Sequence, residues 1–134
     1  MGTRRDAREY ALQMLFQWEF TKDSYDRIAL HFWEHHDEPA AIMDFTRSLV
    51  EGTIRNLEEI DTLIQKHADN WRMDRMATVD RNVLRLAVYE FLHDQETPKN
   101  VVINEAIEIV RKFGAQESSQ FINGILDGIK KELE

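Results

Sequence analysis

Between Asn100 and Asp127 the chain reads NVVINEAIEIVRKFGAQESSQFINGILD, and its residue types suit contact with a single-stranded nucleic acid. An apolar periodicity stops at Phe113 and Gly114, crosses a short polar loop and restarts at Phe121 and Ile122. The loop ends in Glu117, Ser118 and Ser119, a start for a new helix, with Arg111 and Lys112 close by. The first turn of a helix presents backbone N–H groups that no helical carbonyl takes. Such groups suit phosphate oxygens, and flanking aromatic rings suit stacked bases.

A second basic and aromatic grouping lies near the N-terminus. Ala7, Ala11, Met14, Leu15 and Trp18 recur at helical spacing and make one apolar face. Arg5, Glu9, Leu12 and Phe16 run down a different side, with Arg8 between the two. Two arrangements satisfy this pattern. In one, the arginines contact phosphates and Phe16 stacks on a base. In the other, Leu12 and Phe16 belong to a second packing layer and the arginines are merely solvated, the commoner fate of aromatic stripes at helical spacing.

Other chemistries find less support. His31 and His35 are one helical turn apart, near Glu34, His36 and Asp37, a spacing open to zinc. No HExxH pattern or distant third ligand accompanies them, and a polar helix end is the plainer reading. His67 and His93 stand alone. With 25 acidic residues, chance carboxylate pairs are easy and mark no catalytic dyad. GxxxxGK[ST], GxGxxG and GxSxG patterns are absent. No catalytic residue, metal site or cofactor is expected, and the chain does not read as an enzyme.

Composition sets the frame. One domain over residues 1–134 is expected, long enough to bury a core, with 43% hydrophobic and 31% charged residues. No apolar stretch approaches the roughly 18 residues that span a bilayer, so no membrane partner is expected. The absence of cysteine excludes disulfides and thiolate chemistry and fits a cytoplasmic location. The net charge of −8 repels a polyanion at long range, so contact with RNA demands a local basic patch and help from a partner.

The elements that must position these residues read as helix throughout. Two prolines, five glycines and no sustained alternation make an all-α class the expectation. Thr3 with Asp6 predicts a capping pair for a helix reaching about Phe20. Ser24 caps a second helix to about His35, and Pro39 opens a third in its first turn, to about Asn56. Further helices are expected over Glu58–Ala68, Val79–His93, Asn100–Phe113 and Ser118–Leu133, with Thr78 as a cap and Gly114 as a left-handed terminator. Val101-Val102-Ile103 tempts a strand assignment, but the continuation into EAIEIV favours helix. The Val79–His93 helix is either a charged partner surface or a core helix with internal ion pairs, for instance Arg85 to Glu105.

Four segments in order, RRDAREYALQMLFQWEF, FTRSLVEGTIRNLEEIDTLI, WRMDRMATVDRNVLRLAVYEF and TPKNVVINEAIEIVRKFGAQESSQFINGILD, resemble the NusB family of bacterial transcription antitermination factors. The resemblance spans nearly the whole chain and is weakest from about Thr21 to Ala41.

The resemblance implies about seven helices in two small helical-bundle subdomains. It implies binding of boxA, a short single-stranded RNA, together with NusE, which is also a ribosomal small-subunit protein. The complex would join the RNA polymerase elongation complex through other Nus factors and suppress termination, notably in ribosomal RNA operons. RNA contacts would fall on Arg4, Arg5, Arg8, Phe16, Phe113, Glu117, Ser118 and Phe121, and contacts to NusE on Asp80 and Arg81. The family often has tyrosine where Phe16 stands, and Asp6 interrupts the basic start. A protein-only adaptor without RNA contact is the alternative. Leu12 and Phe16, taken as exposed, would serve a homodimer as readily as a monomer would leave them free.

Overall fold

The computed structural model describes residues 3–134. Among these the chain forms seven α-helices: α1 (Arg4–Thr21), α2 (Tyr25–Phe32), α3 (Ala40–Arg55), α4 (Leu57–His67), α5 (Thr78–His93), α6 (Lys99–Phe113) and α7 (Ser118–Leu133). Short 3-10 turns cover Trp33–His35 and Met73–Arg75. None of the helices is long and apolar enough to cross a membrane.

Local chemistry explains most boundaries. Thr3 Oγ1 accepts from the Asp6 N–H at 3.1 Å while Asp6 Oδ2 accepts from the Thr3 N–H at 3.1 Å, a reciprocal cap that opens α1. Lys22, at φ 57°, closes it in the left-handed region. Ser24 caps α2 through its hydroxyl, 3.3 Å from the Arg27 N–H. That helix is shorter than expected. After Phe32 the chain tightens into the 3-10 turn, which lays the His36 ring on Phe32 at 4.3 Å between centroids.

Two further expectations are corrected. Ala77, not Thr78, occupies the cap position of α5, and Thr78 is the first helical residue. Gly114 is not left-handed: its φ is −105° and ψ −172°. Glycine is needed there for space, since a Cβ would lie 2.8 Å from Val110 Cγ2 and 2.9 Å from the Val110 carbonyl oxygen.

The architecture falls into two groups. Helices α1, α2 and α3 pack on one another, and α4, α6 and α7 pack around α5, which also meets α1 and α3. The α5 helix is therefore buried nearly all round, with Val83, Leu84, Leu86, Ala87, Val88 and Phe91 in the core. Its charges are internal, as one of the two readings had it, but the pairing differs. Arg85 meets Asp61 at 2.9 Å and Glu19 at 2.6 Å rather than Glu105. These bonds fasten α1 and α4 to α5.

Candidate nucleic-acid interface

The α1 helix carries its cations into three different environments. Arg4 is exposed, with its guanidinium 4.4 Å from the Phe45 ring centroid and 3.8 Å from Asp94. Arg5 is half-exposed and grips Glu105 with two bonds of 2.9 and 2.7 Å. Hydrogen bonding to Arg5 holds the Glu105 carboxylate below its usual range although burial opposes it. Arg8 departs from the expectation that it would offer a cation to phosphate. Its face of α1 turns inward, its residue exposure is 6%, and both its bonds, 2.8 and 2.7 Å, go to the buried Glu90. A guanidinium taken out of water needs such a carboxylate.

The aromatic stripe divides as well. Leu12 is 2% exposed and belongs to the core, which removes it from any dimer surface. Phe16 keeps 40% of its surface exposed, and one turn on Phe20 keeps 73%, their ring centroids 5.3 Å apart. Lys112, at the end of α6, reaches Glu9 on α1 at 2.7 Å. That bridge holds the α6 terminus, with exposed Phe113, against the stripe that carries Phe16. Lys112 also lies 5.3 Å from the Phe113 ring centroid, so cation and ring are presented together.

The α6–α7 loop is anchored from beneath. Ser118 is buried, and its hydroxyl donates to Asp80 Oδ2 at 3.0 Å instead of capping its own helix. No side chain caps the first turn of α7: its first N–H, that of Ser118, bonds the Ala115 carbonyl at 3.1 Å, and the donors that follow meet no side-chain acceptor and can take an anion. Glu117 stands exposed at this helix start, and Phe121, partly buried, meets Trp71 edge-on at 6.2 Å.

Asp80 and Arg81, expected to face a protein partner, are both drawn into the fold. Asp80 is 8% exposed, and burial pushes its carboxyl above the usual range, with the Ser118 bond opposing and the Glu117 charge reinforcing the shift. Arg81 binds Glu19 at 2.8 and 2.6 Å and the carbonyls of Met73 and Met76 at 2.8 and 2.9 Å. Both side chains are engaged within the protein because α5 is central, with neighbours on every side.

Sequence reasoning passed over Phe20, Trp71 and Arg75. A tryptophan in the polar run ADNWRMDRM was the available signal for the last two. The histidines form no centre: among the described residues no group of three or more His, Cys, Asp or Glu side chains could hold a metal ion.

A family model described as the NusB family matches residues 5–131. The transcription antitermination protein NusB of Koribacter versatilis is 52% identical over 134 residues, covering 99% of this chain and 92% of the relative. That of Myxococcus xanthus is 44% identical over 138 residues, covering 99% and 98%. Among solved structures, T. maritima NusB matches with a TM-score of 0.87 at 40% identity, over 98% of this chain and 94% of that one. A chain from a crystal structure of the antitermination factors NusB and NusE in complex with dsRNA matches with a TM-score of 0.85 at 30% identity, over 96% of each chain.

Proposed function

Because the chain belongs to the NusB family, we propose that it is a transcription antitermination factor that works by binding, without catalysis. As a single RNA-binding domain in the cytoplasm, it takes up boxA-type single-stranded RNA together with NusE. It then joins the RNA polymerase elongation complex through other Nus factors and suppresses termination, notably in rRNA operons. The observation that carries the RNA part is the first turn of α7, which no side chain caps, with Phe113, Glu117 and Phe121 around it and the Glu9–Lys112 bridge tying it to the Phe16 stripe. Arg4 and Arg5 supply cations on α1, while Arg8 holds that helix in place against α5. The NusE contact is assigned to the surface over the start of α5, which Asp80 and Arg81 shape from below.

A protein-only adaptor remains as the second reading because of one observation. Arg4, Arg5 and Arg8 each lie beside a carboxylate of the chain itself, Asp94, Glu105 and Glu90. Titrating a labelled boxA-type RNA with this protein, with and without NusE and across a salt series, separates the two. Weak binding that tightens on adding NusE supports the antitermination factor. Capture of NusE with no RNA binding in either condition supports the adaptor.

A further inference from the structure

Glu117 and Phe121, assigned above to the RNA interface, form with the buried Ser118 one wall of a cavity of about 290 Å³. The opposite wall comes from the connection between α4 and α5, where two side chains lack a structural task. Trp71 keeps 56% of its surface exposed, and its aromatic contact is the edge-on meeting with Phe121, at an interplanar angle of 80°. Arg75 is exposed and forms no ion pair among the described residues, whereas Arg5, Arg8, Arg81 and Arg85 all pair with carboxylates. Arg27 and Arg55 also form no ion pair among the described residues, but of the three Arg75 alone lines this cavity with Trp71.

Their exposure does not come from a loose segment. The Gln65 side chain donates to the carbonyls of Ala68 and Trp71 at 3.1 and 2.8 Å and accepts from the Met73 N–H at 2.9 Å. Arg81 holds the Met73 and Met76 carbonyls from the other side. The connection is therefore braced, with Trp71 and Arg75 facing outward from a firm support.

We propose that this cavity is a further nucleotide subsite, in which the open Trp71 face stacks on one base of the bound RNA and Arg75 takes the adjoining phosphate. Small-ligand pockets begin at about 300 Å³, so the space suits one nucleotide and is too small for a protein helix. A guanidinium at the rim favours a phosphate over a cationic protein side chain, and the shared wall makes the subsite continuous with the α7 helix start. Glu117, at the same rim, is an acceptor for a base amino group. This inference rests on the RNA-binding reading above.

The test compares Trp71→Ala, Arg75→Ala and Arg75→Lys with the wild type in binding a labelled boxA-type single-stranded RNA in the presence of NusE. Thermal unfolding and NusE capture are followed in parallel. Trp71→Ala is expected to weaken RNA binding roughly tenfold at every salt concentration. Arg75→Ala is expected to make the log–log salt slope shallower by about 0.7, and Arg75→Lys to restore it. Unfolding and NusE capture should not move. Variants that bind RNA like the wild type overturn the subsite, and if they also lose NusE the cavity is a protein contact instead. A wild type that binds no RNA overturns the proposed function itself, and the subsite with it.

Discussion

Ser118 and Asp80 join the first residue of α7 to the first turn of α5 through one buried hydrogen bond of 3.0 Å. The bond ties the loop carrying Phe113, Glu117 and Phe121 to the core helix, so the geometry of the proposed RNA surface depends on a carboxylate underneath it. Ser118→Ala leaves that carboxylate without its hydroxyl donor. The expected cost is about 1–3 kcal/mol in urea denaturation, accompanied by weaker RNA binding. An unchanged unfolding midpoint would show that the bond is not needed to hold the loop.

The same pair predicts a pH dependence. Burial holds the Asp80 carboxyl above the usual carboxylate range, so the folded protein keeps this proton more tightly than the unfolded chain does. Ionised Asp80 therefore costs stability near neutral pH. The cost fades as pH falls through the folded value toward the unfolded one, about 3.9. Asp80→Asn, which is neutral at every pH, should be at least as stable as the wild type near pH 7 and lose that advantage in acid. Paired denaturation curves across pH check the sign.

Arg8 and Glu90 test whether one of the N-terminal arginines serves the fold. Replacing Arg8 with alanine strands a buried carboxylate and should cost about 3–5 kcal/mol. The double change Arg8→Met with Glu90→Leu should recover most of that loss. If Arg8→Ala instead left the unfolding midpoint in place and only weakened RNA binding, the burial assigned to Arg8 would be incorrect.

Phe16 and Arg5 carry the opposite expectation, because both are accessible. Phe16→Ala should weaken RNA binding about five- to hundredfold with little change in thermal stability. Arg5→Ala should make the salt slope shallower by about 0.7, provided RNA draws the guanidinium away from Glu105. With Arg8 withdrawn, Arg4, Arg5, Arg75 and Lys112 remain, so the wild-type slope without NusE should be no steeper than about −3. A much steeper slope would mean that more cations reach the RNA than the structure offers.

Gly114 connects the loop's shape to its proposed function. A methyl group there meets the Val110 backbone oxygen, which cannot rotate away, so Gly114→Ala must shift the start of the loop. A loss of about 1–3 kcal/mol is expected, with weaker RNA binding alongside. A crystal structure of the variant with an unmoved Phe113 would refute this.

Much of this molecule was legible before any coordinates. The reciprocal Thr3–Asp6 cap, the Ser24 cap, the break at Phe113 and Gly114 and the apolar face of α1 are local, and residues within a few positions determine them. Helical periodicity told which residues share a face. It did not tell what that face meets. Arg8 and Arg5 are both arginines on the same helix, yet one is buried against Glu90, 82 positions away, and the other bonds Glu105, 100 positions away.

Sequence by itself thus determined the all-α class, most helix boundaries, the family and the aromatic and basic residue types near the two helix starts. Tertiary structure decided which charges are free: it took Arg8, Asp80 and Arg81 into the fold and left Trp71 and Arg75 outside. The physical reason is one of range. Caps and periodicity arise from hydrogen bonds and geometry within a turn or two of chain, whereas burial and ion pairing depend on how distant helices cross, which no local pattern encodes.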